Sequence, residues 1–192
     1  MKKQYTILAI LLVSFQFVNA QFTLDGEFRP RTEYRNGFGN LIPDASDAGF
    51  GVSTRARLNA GFKTEAYNVF ISLQDVMVWG ENRQILPYDA NNSFAVFQAW
   101  ASLKLGENTT TKIGRQVLSY DDQRILGGLD WAQQGRNHDE ALIKYKKDKF
   151  MLDFALAFNQ DYSNPTGFIS SGTAYNTTGF FSYKTMQMLY MK

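Results

Sequence analysis

From residue 22 to residue 35 the chain sorts by parity. Phe22, Leu24, Gly26, Phe28, Pro30, Thr32 and Tyr34 are mostly apolar, and between them stand Thr23, Asp25, Glu27, Arg29, Arg31, Glu33 and Arg35. Successive side chains of a strand point to opposite faces, so this stretch predicts one strand with a greasy side and a charged side. It is far longer than the usual strand of about 5–6 residues. The pattern recurs. Val52, Thr54, Ala56, Leu58, Ala60 and Phe62 oppose Ser53, Arg55, Arg57, Asn59, Gly61 and Lys63. Phe97, Ala99, Ala101, Leu103 and Leu105 oppose Gln98, Trp100, Ser102 and Lys104. Phe150, Leu152, Phe154, Leu156 and Phe158 oppose Met151, Asp153, Ala155, Ala157 and Asn159. Weaker alternation runs through Val69-Ile71-Leu73, Ala141-Ile143-Tyr145 and 179–191. At 112–118 the parity is ambiguous: Arg115 faces outward with Ile113 unless Gly114 carries a bulge. Beyond residue 20 no stretch has helical periodicity.

The connections alternate in length. Tight polar turns are expected at 65–68, 106–110 and 146–149, and long Gly/Asn/Asp-rich loops at 36–51, 80–93, 121–138 and 160–178. Short turns on one side and long loops on the other is the arrangement of outer-membrane barrels. Tyr34, Trp79 and Tyr120 fall at outer strand ends and Tyr67 and Tyr145 at inner ends, where interfacial girdles lie. The predicted fold is therefore all-β, a transmembrane antiparallel up-and-down barrel with about eight strands in this chain. Its partner on the apolar side is outer-membrane lipid, because a spanning sheet must pair every backbone group and present an apolar surface.

Residues 1–20 read as a secretory signal. Lys2 and Lys3 are the basic start, an apolar run follows from Ile7 to Phe17, and Val18-Asn19-Ala20 offers a cleavage site before Gln21. The run is too short for a membrane-spanning helix of about 20 residues. The organisation expected is a signal at 1–20 and barrel sequence over 21–192, in a bacterial outer membrane. The chain has 20 Lys+Arg and 18 Asp+Glu. Losing Lys2 and Lys3 with the signal leaves 18 basic residues against 18 acidic, so the charge surplus belongs to the signal. A near-neutral mature chain argues against a nucleic-acid partner.

Sorted by parity, the charges fall on the face that would line a lumen. Arg29, Arg31, Arg35, Arg55, Arg57 and Lys63 share one neighbourhood, with Asp25, Glu27 and Glu33 interleaved. Lys104 and Lys112 extend the set, and so does Arg115 if Gly114 is bulged. Two uses compete: a ladder of ion pairs that stiffens the wall, or a constriction that selects anions. Arg suits the second because its fork matches carboxylates and its charge persists at any relevant pH.

Chemistry other than transport has little support. There is no Cys, which excludes disulfides, Cys-bound metal, thiol nucleophiles and a lipidated N-terminus. His138, the one His, precedes Asp139 and could form a hydrolase pair with Ser119 or Ser170–Ser171, but nothing places the Ser. One His and scattered acids do not make a metal site, and Asp121-Asp122 and Asp44–Asp47 lack calcium-ligand spacing. No nucleotide fingerprint is present. The N-x-S/T triplets at Asn91, Asn108 and Asn176 are chance matches in a bacterial membrane. No catalytic residue, metal or cofactor is assigned.

Several motifs together resemble a known family. Gly114-Arg115-Gln116, then Gln123-Arg124-Ile125-Leu126-Gly127, Asp130-Trp131 and Arg136-Asn137-His138-Asp139 are similar to the central signature of the alginate-export family of outer-membrane porins. Gly26-Glu27-Phe28-Arg29-Pro30-Arg31 and Gln74-Asp75-Val76-Met77-Val78-Trp79-Gly80 resemble its early strands. The resemblance implies a monomeric barrel of about 18 strands with an electropositive pore for an anionic poly- or oligosaccharide of the polyuronate type. It adds Arg115, Gln116 and Arg124 as pore-lining candidates. About eight strands make a barrel just filled by its own side chains, and the chain ends Leu189-Tyr190-Met191-Lys192 without a terminal aromatic. The expectation is the N-terminal part of a larger barrel. The alternatives are a small structural or adhesion barrel without transport, and an outer-membrane hydrolase.

Overall fold

The computed structural model describes residues 21–37, 43, 46–82, 93–158, 183 and 185–192. The expected signal (1–20), Asn91, Ser170–Ser171, Asn176 and Asp44 lie outside the described residues. The strands are β1 (Gln21–Arg35), β2 (Gly49–Lys63), β3 (Tyr67–Val78), β4 (Ala95–Lys104), β5 (Thr109–Gln116), β6 (His138–Lys147), β7 (Phe150–Phe158) and β8 (Thr185–Met191). They form one eight-stranded sheet in sequence order, every neighbouring pair antiparallel. This is the expected all-β up-and-down meander. Among the described residues no ladder joins β8 to β1. Strands of 15 residues in β1 and β2 exceed the roughly 9–11 needed to cross a bilayer at a tilt.

The register carries the parity of the sequence across the sheet. Phe28 faces Ala56 and Leu24 faces Ala60 on one side, while Glu27 faces Arg57 and Arg29 faces Arg55 on the other. Phe154 likewise meets Ile143 and Leu189. The apolar face is left uncovered: Phe28 is 72 % and Leu189 69 % exposed. A soluble monomer rarely bares so extensive an apolar surface, whereas lipid requires one. The small buried core lies on the opposite, inner face, where Leu118 packs with Leu142 and Ala155, flanked by Tyr120, Leu126, Met186 and Met188.

Three local expectations meet different outcomes. Phe97 was expected on the apolar face with Ala99. Instead Ser72 pairs with Gln98 and Leu73 with Val96, so Phe97 is the extra residue of a bulge. The bulge turns its ring inward, under the Arg57 guanidinium at 3.7 Å from the ring centroid. Tyr120 is not part of an outer girdle. It is drawn inside, where its hydroxyl donates to Asp153 at 2.7 Å and its ring meets that of Tyr190. Gly114 produces no register shift in either ladder, so Arg115 follows Ile113 in facing parity. Gly114 is nevertheless required there: its φ is +122°, and a Cβ would come within 2.2 Å of the Ala99 carbonyl oxygen.

Candidate functional site

The inner face of β1 and β2 is a wall of guanidinium groups, and the 117–137 loop between β5 and β6 is seated on it. Each backbone carbonyl from Asp130 to Gln134 accepts from a strand side chain. Arg29 donates to the Asp130 carbonyl at 2.5 Å and to that of Trp131 at 3.1 Å. Arg31 donates to the same Trp131 oxygen at 2.8 Å. Arg55 reaches the carbonyls of Ala132 and Gln133 at 3.4 and 3.3 Å. Arg57 and Gln74 share that of Gln134, at 3.4 and 3.0 Å. Gln133 donates back to Ser53 Oγ at 2.8 Å. Arg supplies donors in a fixed fork and no acceptor, so a row of carbonyls satisfies it well.

The loop is shaped for this position. Arg136 N–H donates to the Gly128 carbonyl at 2.7 Å and closes its second half into a compact turn. Gly135 holds φ +71°, and a Cβ there would lie 2.9 Å from both Arg57 Nη2 and the Phe97 ring. At the loop's first half Leu118 fills the core and Tyr120 anchors to Asp153, itself paired with Lys144 at 3.2 Å. Burial, then the bond to Asp153, pushes the Tyr120 phenol up. The loop thus crosses the inner faces of β1–β3 at one end and β6–β8 at the other.

One carboxylate of the loop enters the arginine cluster. Asp130 Oδ1 accepts from Arg55 Nη2 at 2.9 Å and lies 3.6 Å from Arg57 Nη1, while its Oδ2 is 3.8 Å from Arg29 Nη1. Partial burial pushes its carboxyl up, but the bond to Arg55 and the charges of Arg55, Arg29 and Arg57 outweigh this and hold it below its ordinary value. Glu27 also pairs with Arg55, whose side chain is 1 % exposed, and with Arg57 at 3.6 Å. Buried charge is tolerated only when paired and hydrogen-bonded, and Arg55 is both.

The expected pore residues divide. Arg29, Arg31, Arg55 and Arg57 are brought together as described. Arg35 pairs with Glu33, which also binds Arg31. Lys63 lies opposite Gln21 and Asn68, at the end of the sheet with the short turns. Lys104 stands beside Thr110 at that end, and Lys112 has its Nζ 4.0 Å from the Trp100 ring centroid. Gln116 is buried and donates to the Lys112 carbonyl at 3.3 Å. Arg115 binds Asp139 through two bonds of 2.8 and 2.9 Å, away from the cluster. Arg124 is exposed on the loop and pairs with Asp122 at 2.8 Å.

The His138–Asp139 pair is not assembled as a hydrolase dyad. Neighbours in a strand face opposite ways: Asp139 is taken by Arg115, and His138 Nδ1 lies 2.5 Å from the Tyr183 hydroxyl. Among the described residues no group of His, Asp and Glu is arranged to hold a metal. Sequence reasoning missed Phe97, Gln133, Gln134 and Gly135 as parts of the site. Gln133, Gln134 and Gly135 belong to a loop with no periodic signal, and bulges such as that at Phe97 have no residue-type signature.

An antiparallel meander with a bared apolar face and a charged inner face is the wall of a β-barrel. The family model described as alginate export matches residues 20–159, and the chain belongs to the alginate export family. That family is one of transport. No curated protein matches the chain.

Proposed function

We propose that the chain is exported by its first 20 residues to the bacterial outer membrane, where 21–192 form one arc of a monomeric barrel whose lumen passes an anionic polysaccharide of the polyuronate type. The alginate export family supports the transport. The observation that carries the lumen is the seating of the Asp130 carboxylate among Arg55, Arg57 and Arg29. A cluster that holds one carboxylate by charge-assisted bonds has the chemistry to hold a carboxylate of a passing polymer where that polymer displaces Asp130. Fixed, pH-independent cations on the inner face also favour anions in the aqueous path. In lipid the outer edges of β1 and β8 need further pairing, which a larger closed sheet supplies.

Planar-bilayer conductance of the full-length gene product tests this. Anion preference in a salt gradient and current block by polyuronates are expected. Cation preference, or indifference to polyuronates, rejects the proposal.

A further inference from the structure

Below the arginine cluster, towards the short turns, the ladders align a row of inner-face residues: Thr23, Gly61, Phe70, Trp100 and Gly114. Phe70 and Trp100 stack with centroids 5.3 Å apart and planes 26° from parallel. Lys112 lies over the Trp100 ring, 4.0 Å from its centroid to Nζ. On the other side, Phe70 leans towards Gly61, where a Cβ would sit 3.7 Å from its ring edge. A cavity of about 200 Å³ opens here, lined by Thr23, Gly61, Lys63, Asn68, Phe70 and Trp100 among others. Beside the aromatic pair, Asn68 Oδ1, Ser72 Oγ and Trp100 Nε1 are buried with no hydrogen-bond partner among the described residues.

Buried polar atoms are ordinarily satisfied, so orphaned acceptors and a donor around an aromatic pair are unexplained by the wall alone. A pyranose ring matches both features. Its axial C–H groups carry partial positive charge and lie well on the electron-rich face of an aromatic ring, and its edge hydroxyls both donate and accept. A few placed polar groups around an aromatic surface is the usual make-up of a small-ligand site. We propose that Phe70, backed by Trp100, is a stacking subsite for one sugar ring of the transported chain. Asn68 takes a hydroxyl contact there, and Lys63 meets a carboxylate. The subsite rests on the polyuronate-channel reading and adds to it a contact with the sugar face, which the arginines cannot make.

The test is block of single-channel current by short oligouronates in the full-length gene product, comparing wild type with Phe70→Leu, Phe70→Tyr and Arg55→Gln. The subsite predicts that Phe70→Leu weakens block about tenfold while leaving anion selectivity unchanged, and that Phe70→Tyr, which keeps the ring, retains it. Block that survives in Phe70→Leu but weakens in Arg55→Gln overturns the subsite and leaves the channel reading standing. A wild-type channel that no oligouronate blocks overturns both. A second readout needs no change in the site: in a full-length gene product in which Trp79, Trp131 and every other Trp except Trp100 are replaced by Phe, oligouronate should shift the Trp100 emission. An unchanged spectrum at concentrations that block current overturns the subsite.

Discussion

Arg55 Nη2 donates to the Asp130 carboxylate at 2.9 Å, joining the inner wall of β2 to a loop 75 residues further along the chain. The arginines of the wall therefore face a fitted protein segment. Its carbonyls and its carboxylate satisfy the donors that a polyuronate would otherwise meet. Ion-pair wall and anion-selective constriction were competing readings of the same residues, and the contacts seen are ion pairs: Glu27 braces Arg55 from the neighbouring strand while Asp130 reaches it from the loop.

Arg55→Gln removes the buried centre of this arrangement. Glu27 and the Ala132 and Gln133 carbonyls lose a charged donor, and seating of the loop weakens by about 2–3 kcal/mol. The expected outcome is faster proteolytic nicking within 121–137 and a lower anion-to-cation permeability ratio. Limited digestion and reversal potentials in a salt gradient measure the two effects.

Asp130 makes seating of the loop sensitive to acid. Its carboxyl is held below its ordinary value of about 3.9, so the seated state binds fewer protons than the released one. The contribution is therefore complete above that ordinary value and is lost as pH falls through the lower, seated value. The wild-type loop should be nicked faster at pH 3 than at pH 6. Asp130→Asn should show the acid-like rate at both, with a cost of about 1 kcal/mol because the carboxylate is largely exposed. A variant whose nicking still depends on pH as strongly as the wild type would place the titration elsewhere.

Gly114→Ala puts a methyl group against the Ala99 carbonyl at a φ that L-residues rarely adopt. Strain and lost ladder bonds between β4 and β5 should exceed 1 kcal/mol, roughly. The folded, heat-modifiable fraction on a semi-native gel should fall, while Gly51→Ala, with no atom near the added Cβ, leaves it unchanged.

The assignment of faces is open to a paired substitution. Ile143 lies in the apolar row with Phe154, and Asn59 lies in the inner row beside Asp25, from which it is 2.7 Å. Arg near the bilayer midplane on the lipid face costs about 2–4 kcal/mol. Ile143→Arg should therefore abolish membrane-inserted protein, whereas Asn59→Arg, with Asp25 as its partner, should insert normally. Equal insertion of the two variants would reverse or remove the lipid-facing assignment.

The alternation of apolar and charged positions was sufficient to assign most inner and outer residues, because side-chain direction in a strand is a local property with a period of two. It marked Arg29, Arg31, Arg55 and Arg57 as one group and located the short turns. It failed at Phe97, where one extra residue reverses the count, and it left Arg115 open because Gly114 accepts a backbone shape that no other residue would.

Local patterning by itself determined an antiparallel meander, its two chemically distinct faces and the clustering of its arginines. Tertiary structure alone decided what those arginines hold. The loop is bound largely through backbone carbonyls, which every residue carries, across separations of 60 to 102 residues. Such contacts leave no trace in residue type or spacing. The same holds for the turning inward of Tyr120 and for the gap beside Phe70. Each depends on which distant groups the sheet brings within a few ångströms, a relation that only the folded register creates.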